Sequence, residues 1–321
     1  MKQFTGRIAV VTGGGTGMGR ELVRHLAAEG CHVATCDVAI DAMDETRTAA
    51  LEGAPAGTKV TTFVADVADE RQVLAFRESV ATEHATGHVH LLFNNAGIAG
   101  GGSFVVDDRD QWERTFGIDW GGVYGTTRVF LPMLLAADEG HVVNTSSVNG
   151  LFASIGPGIP HTAYSAAKFA VRGFTEALIC DFRVNAPHLH AHVVMPGHVG
   201  TSIVLNSAVA HDREPDKLDS EQLSSVRRTL AQMGTSVDGV SDEDLRKGMQ
   251  LMGEAFRDAA PLTAAEAAVI ILNGVREGRW RILVGEDAKY LDAELRKDPE
   301  HAYEPEFWDH LRAAGHFGGF G

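Results

Sequence analysis

The chain has 321 residues, of which 44% are hydrophobic and 22% charged, and it carries a formal net charge of −15 at pH 7. That length can bury a full core as one large α/β domain or two smaller ones, and so acidic a balance argues against a nucleic-acid or anionic-membrane surface. The cysteines Cys31, Cys36 and Cys180 stand at unrelated spacings, which excludes a disulfide framework or thiolate metal site and reads as buried free thiols.

No apolar run of signal length precedes the first strand, and no uncharged apolar segment is long enough to span a bilayer, so a soluble cytoplasmic protein is expected. In chain order, apolar runs at 8–11, 33–36, 60–64, 89–93, 141–144, 192–195 and 282–284 predict seven strands. Helical spacing predicts helices over 18–29 and near 41–52, 69–86, 108–136, 161–185 and 263–277. Strands that are apolar throughout and alternate with helices make a parallel sheet covered on both faces. Right-handed crossovers then favour a doubly wound (Rossmann) α/β fold with a mostly seven-stranded parallel sheet. No repeat or linker divides the chain, so 1–321 is expected to form a single domain.

Between the first strand and first helix lies Thr12-Gly13-Gly14-Gly15-Thr16-Gly17-Met18-Gly19. Its spacing is Gly-x-x-x-Gly-x-Gly, not the commoner Gly-x-Gly-x-x-Gly. Glycines there let the backbone approach a pyrophosphate, and the helix N-terminus offers free N–H groups and partial positive charge. Asp37 ends the second strand, where a carboxylate accepts hydrogen bonds from adenosine ribose hydroxyls and repels a 2′-phosphate. Neither Thr16 nor Val38 supplies a countering cation, so NAD is expected over NADP. Further on, Tyr164 and Lys168 lie one helical turn apart. A free phenol has a pKa near ~10. A fixed ammonium group, together with a cationic cofactor, favours the phenolate; a lowering of about three units takes roughly 4 kcal/mol. Such a phenol is a proton donor or acceptor near working pH, although Tyr-x-x-x-Lys also arises by chance on solvated helix faces.

Asp66-Val67, Asn94-Asn95-Ala96-Gly97, Ser146-Ser147 and Pro196-Gly197-His198-Val199 follow in order at predicted strand ends. With the glycine turn and the Tyr164/Lys168 pair, they make the chain resemble the short-chain dehydrogenase/reductase family, in its single-domain NAD-dependent branch. The resemblance implies that Gly13, Gly15, Thr16, Gly17, Met18 and Gly19 hold the pyrophosphate, and that Asp66 and Val67 contact the adenine. It implies that Asn95, Ala96 and Gly97 steady the central strand beside the cofactor, and that Pro196, Gly197, Val199 and Thr201 lie along the nicotinamide. Tyr164 is then the general acid/base, Lys168 tunes it and holds the nicotinamide ribose, and Ser147 polarises the substrate carbonyl or alcohol. The activity implied is hydride transfer between NAD(H) and a secondary alcohol or ketone; a dehydratase, an epimerase or a non-catalytic NAD-binding protein of the same fold are the alternatives. Family habit implies a homodimer or homotetramer.

Three departures stand out. Asp119 occupies the position where the family carries Asn, in Ile118-Asp119-Trp120-Gly121-Gly122-Val123, which makes it a candidate member of the proton relay beside Lys168. A glycine- and proline-rich insertion over 153–160 lengthens the interval from Ser147 to Tyr164 and is expected to shape specificity. Residues 201–262 form a long helical segment in the family's lid position; Ile203, Val204, Leu230, Met233, Met249, Met252 and Phe256 either line an apolar pocket or pack as helix cores, and the length favours a bulky apolar substrate. A polar helical tail over 286–321, with Trp308 and a Gly318-Gly319-Phe320-Gly321 end, is expected to pack on a neighbouring subunit or fray. His188, His190 and His192 alternate onto one strand face without a carboxylate or cysteine companion; they read as a solvated strand entrance and no metal site is expected.

Overall fold

Every strand of the main sheet is an apolar run ended by a residue that turns the chain. In chain order the strands are β1 (Ile8–Thr12), β2 (His32–Asp37), β3 (Val60–Val64), β4 (Leu91–Asn94), β5 (Gly140–Thr145), β6 (Leu189–Pro196), β7 (Val199–Gly200), β8 (Leu262–Thr263) and β9 (Arg281–Val284). The computed structural model describes the whole chain except residues 157, 233–234 and 317–321 and the side chain of 232, so Pro157, Met233 and Gly318-Gly319-Phe320-Gly321 lie outside the described residues. The main sheet is seven-stranded in the order β3-β2-β1-β4-β5-β6-β9, and all its pairs are parallel. β1, β4 and β5 are buried along their whole length, which explains why their sequences do not alternate: both faces meet helices.

The helices are α1 (Gly17–Ala28), α2 (Ile40–Glu52), α3 (Glu70–Glu83), α4 (Arg109–Phe116), α5 (Gly122–Leu135), α6 (Thr162–Asn185), α7 (Ile203–Ala210), α8 (Ser220–Gln232), α9 (Asp242–Asp258), α10 (Ala264–Arg276), α11 (Glu286–Lys297) and α12 (Pro305–Ala313). On one face Leu22 and Leu26 of α1 and Ile271 and Leu272 of α10 close over Val11 and Val33. On the other, Phe76 of α3 and Phe130 and Leu134 of α5 cover Val10 and Leu92. Each such side chain, buried fully, contributes about 1.5–3 kcal/mol. Strand order reverses between β1 and β4, and the carboxyl ends of these strands border a crevice at that switch point.

Three features were not visible in the pattern. The helix expected near 108–136 is interrupted by a wide π turn at Gly117–Gly121, which joins α4 to α5. β7 and β8 form a separate two-stranded parallel ribbon that brackets the segment containing α7, α8 and α9. The tail contains two helices, α11 and α12, that pack on this same chain. No helix of the described residues is long and apolar enough to cross a membrane.

Two local expectations are corrected. Cys31 and Cys36 are buried, but Cys180 is exposed on α6. His190 is exposed, whereas His192 is only 1% exposed and belongs to a buried chain of hydrogen bonds. Its Nδ1 lies 2.6 Å from the Arg279 carbonyl, and its Nε2 lies 2.8 Å from His141 Nδ1. A carbonyl only accepts, so His192 donates from Nδ1 and accepts at Nε2, which leaves the lone pair of His141 on its own Nε2. That nitrogen lies 3.1 Å from Glu139 Oε1 and 3.3 Å from the amino group of Met1, and the amino group and Glu139 pair with each other. Burial holds both imidazoles neutral, lowering His192 to about 4 and His141 to about 3. Alternation along β6 identified the face; the cover over it came from β5 and the amino terminus.

Candidate active site

The glycine turn leaves β1 with Gly13 at φ +69°, where a Cβ would stand 2.8 Å from the Ala96 Cα. Both the backbone angle and the close approach require glycine. Thr12 binds the neighbouring turn: its Oγ1 accepts from Asn95 N (3.0 Å) and Ala96 N (3.1 Å), while Asn95 Nδ2 donates to the Thr12 and Gly13 carbonyls. α1 begins after Thr16 with no acidic residue in its first turn, so the positive end of its dipole is uncompensated. Asp37 closes the far side. Its Oδ2 accepts from Gly15 N at 2.9 Å and its Oδ1 from Ala39 N at 3.1 Å. These residues fit a dinucleotide: donors and positive dipole where a diphosphate would lie, and a carboxylate where a ribose would lie.

Two arginines belong to this wall and carried no motif signal. Arg20 donates from Nε to the Gly15 carbonyl and pairs with Glu45 at 3.0 Å, stiffening the turn from outside. Arg114 pairs with Asp66 at 2.8 Å, so Asp66 is held by a charge from α4. Val67, next to it, is buried against Gly122. At the opposite wall, His198 N donates to the Asp287 carboxylate at 2.6 Å, fixing the Pro196-Gly197-His198 turn. Thr201 lies against Gly17.

Tyr164, Lys168, Ser147 and Asp119 converge at the carboxyl ends of β4 and β5. Lys168 Nζ lies over the face of the Tyr164 ring, 5.2 Å from its centroid, donates to the Thr145 carbonyl at 3.3 Å and stands 3.8 Å from Asp119 Oδ2. Both members of that ion pair are buried, Lys168 at 3% and Asp119 at 0% exposure. Asp119 sits in the π turn, a helical irregularity that recurs at functional sites, and its Oδ1 accepts from Ile98 N at 2.9 Å. Its Oδ2 has no hydrogen-bond partner. Ser147 stands at the N-cap of a short turn at Val148–Gly150, and its Oγ accepts from Asn149 N at 3.1 Å.

The lowering expected for Tyr164 counted a cationic cofactor beside Lys168; the chain's own groups act in the other direction. In this structure the phenol is pushed above its ordinary value, first by burial and second by the Asp119 carboxylate, while a hydrogen bond with Ser147 pulls it down. The ammonium group that was expected to dominate is shared with Asp119, the carboxylate expected beside Lys168 as a relay candidate. His161 is a further neighbour missed in the sequence: its ring lies 4.7 Å from that of Tyr164, and burial lowers it to about 4, which keeps it neutral at pH 7.

Burial also pushes the Asp119 carboxyl up to about 6, against opposing contributions from Lys168 and the Ile98 N–H. The folded chain therefore holds this proton more tightly than the unfolded chain. The resulting stability is fully present below about pH 4 and is lost as pH rises through about 6. Wild type is expected to lose on the order of 3 kcal/mol across that window, and Asp119→Asn to lose that part of the slope. Removing the carboxylate also takes away a group that raises the Tyr164 pKa, so that pKa should move down by on the order of one unit. Denaturation curves from pH 4 to 7 and a pH–rate profile check both; a variant running parallel to wild type in both would exclude the carboxylate.

The segment after Thr201 lies across the crevice. In α7, Asn206 Nδ2 donates to Thr16 Oγ1 at 2.9 Å, and Ser207 Oγ accepts from Ala99 N at 2.7 Å. Among the apolar candidates, Leu230 and Met249 pack into a small core of the segment's own, with Leu218, Leu223 and Leu245. Met252 is 58% exposed, and the Phe256 ring packs on His198 at a 42° tilt.

A family model described as short chain dehydrogenase matches residues 7–211. The chain is similar to an oxidoreductase of Mycobacterium tuberculosis named SadH, 35% identical over 297 residues and 92% of each chain. It is also similar to the levodione reductase of Leifsonia aquatica, 34% identical over 228 residues, which covers 70% of this chain and 81% of that one. Among solved structures, a short chain dehydrogenase/reductase from Burkholderia phymatum in complex with NAD aligns with a TM-score of 0.72 at 29% identity, over 95% of this chain and 98% of the other. A crystal structure of levodione reductase aligns with a TM-score of 0.66 at 25% identity, over 91% and 100%.

Proposed function

The chain belongs to the short-chain dehydrogenase/reductase family, and from that premise we propose that it interconverts a secondary alcohol and a ketone using NAD(H), with Tyr164 as the general acid/base. The observation that carries the reading is the convergence of Tyr164, Ser147 and Lys168 beside a glycine turn fit for a diphosphate. The cofactor would lie along Gly13, Gly15, Thr16, Gly17, Met18 and Gly19, with its adenosine end at Asp37, Asp66 and Val67 and its nicotinamide end near Asn95, Ala96, Gly97, Pro196, Gly197, Val199 and Thr201. When bound, it supplies or accepts the hydride.

The protein's own part is to handle the charge on one oxygen. Reduction of a ketone builds negative charge there; the Ser147 hydroxyl donates to it and the Tyr164 hydroxyl delivers the proton. Lys168 would hold the nicotinamide ribose and, with the Asp119 carboxylate, govern how readily Tyr164 regains its proton. The bulky apolar substrate expected from the lid is supported by Phe104, Val105 and Val106, which are 77%, 88% and 68% exposed on a loop. That loop's glycines, Gly101 and Gly102, receive the first N–H groups of α6. Homo-oligomerisation is supported by apolar residues left exposed on α5 and α6, Tyr124, Leu135, Phe169 and Val184.

A screen of secondary alcohols and ketones with NAD(H), followed by the ultraviolet absorbance of NADH, tests the reading. Stoichiometric NADH formation or use is expected; turnover of a substrate with no net NADH change would favour the dehydratase or epimerase. Asp37→Ser should raise the NADP-to-NAD ratio of kcat/KM by about 10–100-fold, because it removes the charge facing a 2′-phosphate. An unchanged ratio would take discrimination away from Asp37.

A further inference from the structure

The tail helices α11 and α12 lie outside the part of the chain that the family model matches. They receive two buried side chains from the stretch after Ser147, Val148 and Phe152. Phe152, five residues after Ser147 and 1% exposed, is enclosed by Tyr303 (ring centroids 5.0 Å apart), Phe307 (5.4 Å) and Trp308 (5.6 Å), with Leu291 and Leu311 behind. Polar contacts fix the same stretch. Trp308 Nε1 donates to Ser154 Oγ at 3.1 Å, and Ala153 N donates to the Tyr303 hydroxyl at 3.1 Å. Asn149 Nδ2 donates to the Phe152 and Ser154 carbonyls, both at 3.1 Å, while its backbone N–H donates to Ser147 Oγ. The path from tail to hydroxyl is therefore continuous: Trp308 and Tyr303 hold 152–154, these residues hold Asn149, and Asn149 orients Ser147.

We propose that the C-terminal segment 286–313 is a positioning element of the active site, with Trp308 as its anchor, setting the Ser147 hydroxyl through the Phe152 socket. The inference rests on the reading of Ser147 as the group that polarises the substrate oxygen. The turn at Val148–Gly150 is buried, with Gly150 against Ser146 and the Lys168 backbone on one side, and on the other side Val148 and Phe152 join the tail cluster. An aromatic knob in a socket removes the remaining freedom. Misplacement of a catalytic donor by about 1 Å costs on the order of 100-fold in rate, so the tail's effect should appear in catalysis and not in cofactor binding.

The test is a double-mutant cycle between position 308 and Ser147 in the full chain. Trp308→Ala is expected to lower kcat/KM for a ketone by about 10–100-fold, mostly in kcat, with NADH affinity within about threefold of wild type. In a Ser147→Ala background the same change should cost less than about threefold, because the group it positions is already gone. Trp308→Phe, which keeps a ring in the socket and loses the N–H to Ser154, should recover most of the rate. If Trp308→Ala does not fold, Trp308→Phe and Tyr303→Phe, at a residue 61% exposed, carry the cycle with smaller losses of the same kind. Equal losses in both backgrounds, or parallel losses of rate and NADH affinity, or an undiminished rate, would overturn the proposal. Full activity in Ser147→Ala itself would remove the underlying reading of Ser147 and the inference with it.

Discussion

Tyr164→Phe is expected to lower kcat/KM for ketone reduction by about 10²–10⁴-fold, while NADH binds within about threefold of wild type. The substitution keeps the ring against His161 and under the Lys168 ammonium group, and deletes only the hydroxyl and its hydrogen bond with Ser147. A buried phenol whose pKa is raised is a poor base but is fully protonated at neutral pH, which suits proton delivery in the reductive direction. Loss of that proton leaves the developing alkoxide with one donor, Ser147. Adding Ser147→Ala to Tyr164→Phe should then cost far less than it does in wild type, since the two hydroxyls serve the same oxygen. Steady-state kinetics with fluorescence titration of NADH separate the two effects. A Tyr164→Phe enzyme that keeps more than about a tenth of wild-type kcat/KM would exclude the phenol as the proton donor.

Lys168→Met is expected to damage both folding and activity, and a second change should repair only the first. Lys168 and Asp119 are an ion pair with almost no access to water. Removing one member of such a pair strands the other and costs about 3–5 kcal/mol. Lys168→Met leaves the Asp119 carboxylate with Ile98 N–H as its sole partner among the described residues. Asp119 would then take up a proton or pull water into the core. Lys168→Met/Asp119→Asn removes the charge, and the Asn oxygen can still accept from Ile98, so most of the lost stability should return. Activity should stay about 10²–10³-fold down in both variants, because the cation proposed to hold the ribose is missing from each. Denaturant unfolding and kcat/KM on the two variants give the answer. Equal stability of the single and double variants would show that the buried carboxylate is not what the lysine offsets.

Much of this protein was legible in sequence because the signals were local. An apolar run followed by glycines and an amphipathic stretch is a strand, turn and helix whatever lies around it, and seven such runs in alternation leave few sheets to build. Tyr164 and Lys168 share a helix face by spacing alone, Asp37 was found as a strand-end residue, and Ser147 was identified through the family resemblance. What depended on distant chain was not legible in spacing. The π turn that presents Asp119 has no spacing signature; the neighbourhood of its carboxylate and Lys168, 49 positions further along the chain, was expected only from the family resemblance. Spacing placed a cation near the phenol, and packing adds burial and an anionic neighbour, both of which push the Tyr164 pKa up. The tail is the clearest case. Its composition gave a polar helix, and nothing within 286–313 indicates that its aromatic residues enclose Phe152 from the other side of the catalytic turn.

Residue types and their intervals, then, determined the element order, the sheet and the identity of the candidate chemical groups, because backbone periodicity is a property of neighbours in sequence. Only the tertiary structure decided which charges are dry, which groups share a proton or a counter-ion, and what holds Ser147 in place. Desolvation and long-range contact depend on what packs above a residue, and residues far along the chain supply that cover.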